Sequence, residues 1–459
     1  IDWKSENNEP LRAGVSSFGI GGTNAHVILE EYIGNKENVD DDSFHLIRYS
    51  AKSLKSLNNY QDRLKDFIKK SEDANLSDIA YTLSRGRKQF KYNRFLVANN
   101  KQDVISAIEQ LDEESLFSGK LNSKQKIVFM CTGSGSQYIN MCKDLYLNES
   151  SFKTLVDIGF DLLKKETGHN FSEIIYTDKI LKDKENIINN NEYTQPIVFI
   201  YEYAIAQLLM KWGISPDVMI GHSTGEYVAA CLSGVFSFES ALSLVVQRAK
   251  LMSQTQKGSM ISVALSEQDI KPFLSSDVNI AAINSPESCV ISGTIDAIDH
   301  LYEKLEAQNI SCSKLRISLG AHSYLMDPIL DKFRLELEKT SFSKPKIPFI
   351  SNYTGKYIND DVCTPSYWIN HLRSTVRFSE GLTRLLQNSN SIFIEIGPSN
   401  ALTTMFQQHS DMNTNKNIAL NVIRHPRQEI NDQKHLLQKI GELWLNGIDI
   451  NWDSYYQEK

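Results

Sequence analysis

No apolar run in this 459-residue sequence approaches the roughly 20 residues needed to cross a bilayer. The opening residues, Ile1-Asp2-Trp3-Lys4, lack the basic start and apolar core of a signal peptide, so a cytoplasmic protein is expected. An initiator methionine is missing too, and the chain is expected to be a segment of something larger. Cysteine is sparse. Its six positions (131, 142, 231, 289, 312 and 363) have neither the pairing of a disulfide framework nor the spacing of a zinc site. Each reads as a small buried hydrophobe in a reducing compartment, with no bound metal or cofactor expected. Basic excess is absent as well: the net charge of -7 argues against nucleic acid as partner. Internal repeats and low-complexity tracts do not occur.

What remains is an ordinary globular composition, 41% hydrophobic and 23% charged, in a chain too long for one core. One stretch organises it. The apolar run Val218-Met219-Ile220 meets Gly221-His222-Ser223-Thr224-Gly225, and a helical pattern from Tyr227 to Leu232 follows at once. Gly-x-Ser-x-Gly between strand and helix is the layout of a nucleophile elbow. Its two glycines let backbones approach closely, Ser223 stands at the tip, and the N–H of Thr224 is aimed at a developing oxyanion. A glycine-rich loop with no chemistry is the alternative for this stretch alone.

Upstream, Phe18-Gly19-Ile20-Gly21-Gly22-Thr23-Asn24-Ala25-His26-Val27 runs into a short strand, Val27 to Leu29. It lacks the preceding strand and Lys-Ser/Thr of a phosphate loop. It resembles the C-terminal end of a β-ketoacyl synthase, without that family's nucleophile region, and His26 is expected to be structural. Residues 32–42 are polar and acidic and read as a linker. A small α/β region follows: strands at 44–49 and 95–98, helices at 54–70, 76–83 and 101–111. Its stretch Ala80 to Arg87 resembles the connector between synthase and acyltransferase domains of modular polyketide synthases.

The main domain opens with a strand, Lys126 to Cys131, ending in the loop Gly133-Ser134-Gly135-Ser136-Gln137. A helix is predicted over 197–212, with Pro196 in its first turn, and another over 237–254 carrying Arg248. Between 257 and 319 the order is βαββαβ, that of a ferredoxin-like unit inserted in the larger domain. The main domain resumes with strands at 347–352 and 392–396 and a helix near 379–387, and a tail carries a helix over 433–445.

A nucleophilic serine needs a base within reach. The candidate is His322, in Gly320-Ala321-His322-Ser323-Tyr324-Leu325-Met326-Asp327-Pro328, at the edge of the sheet. Taken alone, a histidine there is as well read as a surface or capping residue. Arg248 lies on an otherwise apolar helix face, where it must pair or reach solvent. A salt bridge to Glu226 and a fork gripping a substrate carboxylate are both open readings.

Together, Gly-His-Ser-x-Gly-Glu, the arginine on the next helix, His-Ser-x-x-Met-Asp-Pro and Ile396-Gly397-Pro398 closely resemble the acyltransferase domain of polyketide synthases. The resemblance covers nearly the whole chain. It implies an α/β fold: an α/β-hydrolase-like large subdomain with an inserted ferredoxin-like small subdomain, preceded by a small α/β linker domain. The implied segments are a ketosynthase tail (1–31), a linker domain (32–125), the acyltransferase domain (126–420, with 257–319 the small subdomain) and a post-acyltransferase linker (421–459). Ser223 would be the nucleophile and His322 its base. Arg248, Ser134, Thr224, Gln137, His222, Ala321 and Leu319 would bind substrate, with the N–H groups of Thr224 and Ser134 forming the oxyanion hole. The backbone carbonyl of His371 would orient the base. The donor would be a thioester of CoA or of a carrier protein, and the acceptor an acyl carrier protein.

The sequence departs from the family at three places. The first loop has Ser134 where glutamine is usual, Thr224 replaces an aliphatic residue or glutamine, and Leu319-Gly320-Ala321-His322 matches neither His-Ala-Phe-His nor Tyr-Ala-Ser-His. The small Ala321 and polar Thr224 point to a malonyl unit with a small polar C2 substituent. Hydroxymalonyl carried by an acyl carrier protein is the expected extender. Selectivity for malonyl- or methylmalonyl-CoA, a serine hydrolase or thioesterase, and a scaffold with a dead centre are the alternatives.

Overall fold

The structure is a computed structural model that describes residues 9–32, 43–71, 74–110, 116–120, 125–177, 182–315, 317–387, 390–409 and 417–457. They fall into two compact units, 1–42 and 43–459. In the first, the strand expected at Val27 to Leu29 lies within Asn24–Glu30, paired antiparallel with Arg12–Phe18, a strand ahead of the glycines that the sequence did not reveal. Gly22 takes φ +90° in the connecting turn, a conformation that glycine adopts without penalty. His26 meets Ser16 Oγ across the hairpin at 2.7 Å. Apart from its first residue, Tyr32, the expected linker 32–42 lies outside the described residues.

In the second unit, three antiparallel strands, His45–Ala51, Tyr92–Ala98 and Leu116–Lys120, form one sheet in that order. Helices Leu54–Lys70, Leu76–Arg85 and Lys101–Gln110 bury Leu57, Leu64, Ile68, Ile79, Leu83 and Val104 against it. The tail helix Asp432–Leu445 lies on the sheet's other side, where Gly441 leaves room for the ring of Phe95.

The main sheet runs Phe349–Ile350, Val218–Gly221, Lys126–Cys131, Ser391–Glu395, Ile418–Asn421, every pair parallel. Parallel strands are covered on both faces, which is why these read as continuous apolar runs. Along Lys126–Cys131, Ile127, Phe129 and Cys131 enter one core while Val128 and Met130 enter the other. The first strand in the chain is central, with later strands added on either side, so the crevice above its carboxyl end is where such sheets bind ligands.

The inserted subdomain has strands Gly258–Val263, Val278–Ser285, Ser288–Thr294 and Cys312–Lys314. They lie in the spatial order fourth-first-third-second, all antiparallel, and helices Glu267–Ile270 and Ile295–Glu306 complete the βαββαβ order expected. Pro272 lies in a 3-10 turn, Lys271–Phe273, that takes over where the first of these helices ends.

One helix start differs from expectation. The helix carrying Pro196 begins at Asn191, so the proline sits in its second turn. Asn190 is the N-cap, its side chain accepting from Glu192 N–H at 3.0 Å, and Thr194 Oγ1 donates to the Asn190 carbonyl at 3.0 Å. A strong cap thus carries the helix nearly two turns further back than the proline suggested.

Candidate active site

The elbow is built by crowding. A Cβ on Gly221 would overlap the backbone of Gly225 and Glu226, and one on Gly225 would overlap the carbonyl of Cys131. Between them Ser223 adopts φ +51°, a left-handed conformation that costs a non-glycine residue about 1–2 kcal/mol. Asn352, just past the short strand Phe349–Ile350, meets it. Its Oδ1 accepts from Ser223 N–H at 2.6 Å and its Nδ2 donates to the Gly221 carbonyl at 2.6 Å.

His322 comes from a second tight turn, also left-handed at φ +55°, closed by Ser323 Oγ donating to the Gly320 carbonyl at 2.6 Å. Its Nε2 lies 2.7 Å from Ser223 Oγ and its Nδ1 3.0 Å from the Ser374 carbonyl. The principal acceptor for Nδ1 is therefore Ser374, three residues beyond the predicted His371. The His371 carbonyl adds a second, weaker pull toward the protonated ring. Both follow from the end of helix Pro365–Arg373, whose last carbonyls have no intrahelical donor. The His371 side chain turns away, its Nε2 3.5 Å from Glu226 Oε2. Burial above all, then the charges of Arg248 and His222, holds the His322 imidazole down to about 3, so it is a neutral base at physiological pH.

Arg248 is 1% exposed. Among the described residues it has no ion-pair partner, so the alternative salt bridge to Glu226 does not form. Glu226 instead accepts from Asn352 N–H at 2.5 Å and contacts Tyr367 Oη. Burial pushes its carboxyl up to about 8. The guanidinium Nη1 donates to Gln195 Oε1 and, at 3.3 Å, to Thr224 Oγ1, and the cation sits 5.7 Å from the Tyr227 ring centre. Nε and Nη2 are buried without partners, the edge that takes a carboxylate as two parallel bonds.

Thr224 is the cap of helix Gly225–Ser233, and its N–H donates to no group among the described residues; the same holds for Ser134 N–H in the first loop. Gln137 braces that loop, Oε1 accepting from Gly135 N–H at 3.0 Å and Nε2 donating to Asn189 Oδ1 at 2.9 Å. The loop is anchored by Thr132, whose N–H and Oγ1 both donate to buried Glu202 at 2.5 Å. His222 Nε2 lies 2.8 Å from Asn284 Oδ1 of the small subdomain. Leu319 is buried in the larger core and Ala321 is half-buried where both cores meet, beside the base.

Asn352, Ser374, Gln195 and Asn284 did not emerge from the sequence. For Gln195 a signal existed: a polar residue ahead of a long apolar run. Asn352 had one too, following a strand whose carboxyl end faces the crevice. Among the described residues no cluster of histidine, cysteine and carboxylate side chains forms a metal site, and no helix is long and apolar enough to cross a membrane.

Comparison with known proteins matches residues 128–449 to the acyl transferase domain family and residues 45–108 to the family described as CurL-like, PKS C-terminal. A phenolphthiocerol/phthiocerol polyketide synthase of Mycobacterium tuberculosis is 32% identical over 96% of this chain. Mycoketide-CoA synthase of the same organism is 31% identical over 96%. The chain spans only 30% and 10% of their lengths. Among solved structures, the acyl transferase domain of ZmaA superposes with a TM-score of 0.85 at 36% identity, covering 91% of this chain and 97% of that one. The acyl transferase domain of SpnD, in complex with 2-(pent-4-yn-1-yl)malonyl, gives 0.79 at 27%, covering 88% and 97%.

Proposed function

The chain belongs to the acyl transferase domain family, and from that premise we propose that it moves a malonyl-type extender unit from a thioester to the phosphopantetheine thiol of an acyl carrier protein, by way of acyl-Ser223. The carrying observation is a 2.7 Å Ser223–His322 contact next to Thr224, whose Oγ1 accepts from a buried guanidinium with two unmatched donors. His322 Nε2 takes the Oγ proton as Ser223 attacks the thioester carbonyl. The oxyanion is held by the N–H groups of Thr224 and Ser134. Collapse breaks the C–S bond, and the proton on His322 passes to the departing thiolate. The carrier thiol then gives its proton to His322, attacks the acyl-serine, and Ser223 recovers a proton from His322. Carbonyls of Ser374 and His371 at a helix C-terminus favour the imidazolium at each stage.

The donor is a thioester of CoA or of a carrier protein, and no resident cofactor enters. A hydrolase has no use for a carboxylate clamp, and a dead centre no use for the Ser–His contact; both weigh against those alternatives. Leu319 and Ala321 line the acyl side, and Gln137 and His222 shape the entry. By the same reading residues 1–31 are a synthase tail, 32–125 a linker domain, 126–420 the transferase and 421–459 its closing linker, in a cytoplasmic assembly.

For the extender, Thr224 Oγ1 accepts from Arg248, so its own proton is left to donate to the substrate. With the small Ala321, that supports a polar C2 substituent: hydroxymalonyl delivered on a carrier protein. Offering malonyl, methylmalonyl and hydroxymalonyl on CoA and on carrier protein, then weighing Ser223 by mass spectrometry, tests it. Hydroxymalonyl from the carrier protein is expected to load fastest; preferential loading from malonyl-CoA would remove the assignment.

A further inference from the structure

Ser223 sits at φ +51° with its N–H and the Gly221 carbonyl both turned toward one side chain. That side chain, Asn352, is 2% exposed. Its amide bridges the two ends of the tripeptide that carries the nucleophile, accepting at 2.6 Å from one and donating at 2.6 Å to the other. An amide carries an acceptor and a donor on one carbon, so it can serve both backbone groups at once. Asn352 is itself fixed, because its backbone N–H donates to Glu226 Oε2 at 2.5 Å, and Glu226 contacts Tyr367 Oη, which donates to Ser351 Oγ at 2.7 Å. The strand Phe349–Ile350, parallel to the elbow strand with Ile350 opposite Ile220, brings the residue to this height.

We propose that Asn352 is a positioning residue for acylation: it clamps the elbow in its left-handed form and so keeps Ser223 Oγ on His322 Nε2. The clamp has a second consequence. Ser223 N–H is committed to Asn352, so it is withdrawn from the oxyanion, which leaves Thr224 N–H as the elbow's contribution. The inference rests on Ser223 being the nucleophile. Without the clamp the serine relaxes away from the left-handed region, and a displacement of about 1 Å costs on the order of 100-fold in rate.

The test is single-turnover acylation of the full chain by malonyl-CoA and by hydroxymalonyl-carrier protein, read as Ser223 adduct by mass spectrometry, for Asn352→Ala, Asn352→Asp and Ser223→Ala. Asn352→Ala is expected to slow acylation about 100-fold at saturation with the half-saturating concentration unchanged. Asn352→Asp keeps the acceptor toward Ser223 N–H but sets a carboxylate oxygen against the Gly221 carbonyl in place of the donor, so acylation should stay slowed. Circular dichroism selects folded variants; if only Asn352→Asp folds, its slowed acylation at unchanged half-saturation supports the clamp. Wild-type rates in a folded variant, or a loss expressed wholly in half-saturation, would overturn it. Acylation surviving in Ser223→Ala would overturn the nucleophile assignment instead, so the two failures are told apart.

Discussion

At the scale of single residues the site is a set of charges that are hidden or suppressed. His322 is neutral because it is buried, and next because Arg248 stands near. Replacing Arg248 removes that second cause. In Arg248→Ala, the acid limb of Ser223 labelling by a fluorophosphonate should therefore move to higher pH, toward the ordinary histidine midpoint near 6.5. An unmoved limb would separate the two groups. Glu226 has the opposite sense. Its folded carboxyl titrates at about 8 against an ordinary 4.5, so the native state binds more protons between those values. The stability it contributes is complete below pH 4.5 and is lost as pH rises through 8. Melting followed from about pH 5 to 8.5 should show a decline that Glu226→Gln flattens, since glutamine is neutral throughout. Ser223, His322 and Arg248 were legible from their motifs, because each is a residue type that chemistry demands at a marked position. Ser374 was not, because any residue offers a carbonyl and only the end of helix Pro365–Arg373 selects this one.

At the scale of elements, the elbow, the base turn and the first loop are held by close backbone approach rather than by side-chain volume. Gly225 is pressed against Cys131 and Thr132 at the head of the central strand. Gly225→Ala has backbone on both sides and nowhere to relax, so a loss near the upper end of about 1–3 kcal/mol is expected, read as a lowered denaturant midpoint. An unchanged midpoint would mean that the loop moves freely. Helices over 54–70 and 101–110 and the strand 126–131 matched expectation to within a residue, because their periodicity and caps are local signals. The strand Leu116–Lys120 was missed: its residues are half-exposed, and only pairing with Tyr92–Ala98 makes it a strand. The last strand of the inserted subdomain is likewise short, Cys312–Lys314, and is defined by its pairing with Gly258–Val263.

At the scale of the 43–459 unit, the ends of the segment close on one another. Arg48 of the first sheet is buried between Trp444 and Trp452 of the tail, 5.1 and 4.4 Å from their ring centres. Leu46, Phe95 and Val97 share one core with Ile440, Leu443 and Trp444. Sequence could show two tryptophans in a tail but not what they cover, since that contact joins the two ends of a long unit. Removing residues 430–459 would uncover this face, so the truncated chain is expected to aggregate, by size-exclusion chromatography, where the full chain stays dispersed. A well-behaved truncated protein would show that the tail is an appendage.

The central claim is that Ser223, His322 and Arg248 act on one carboxylate-bearing acyl group. Its most direct measurement is a competition: equimolar malonyl-CoA and acetyl-CoA offered to the wild type, Arg248→Ala and Ser223→Ala, with the peptide bearing residue 223 weighed. The account predicts malonyl on Ser223 in the wild type, no adduct in Ser223→Ala, and a swing toward acetyl of at least about 30-fold in Arg248→Ala. That is the low end of the roughly 2–5 kcal/mol attached to breaking a buried charge pair. Equal malonyl preference with and without Arg248, or an adduct that survives loss of Ser223, would contradict it.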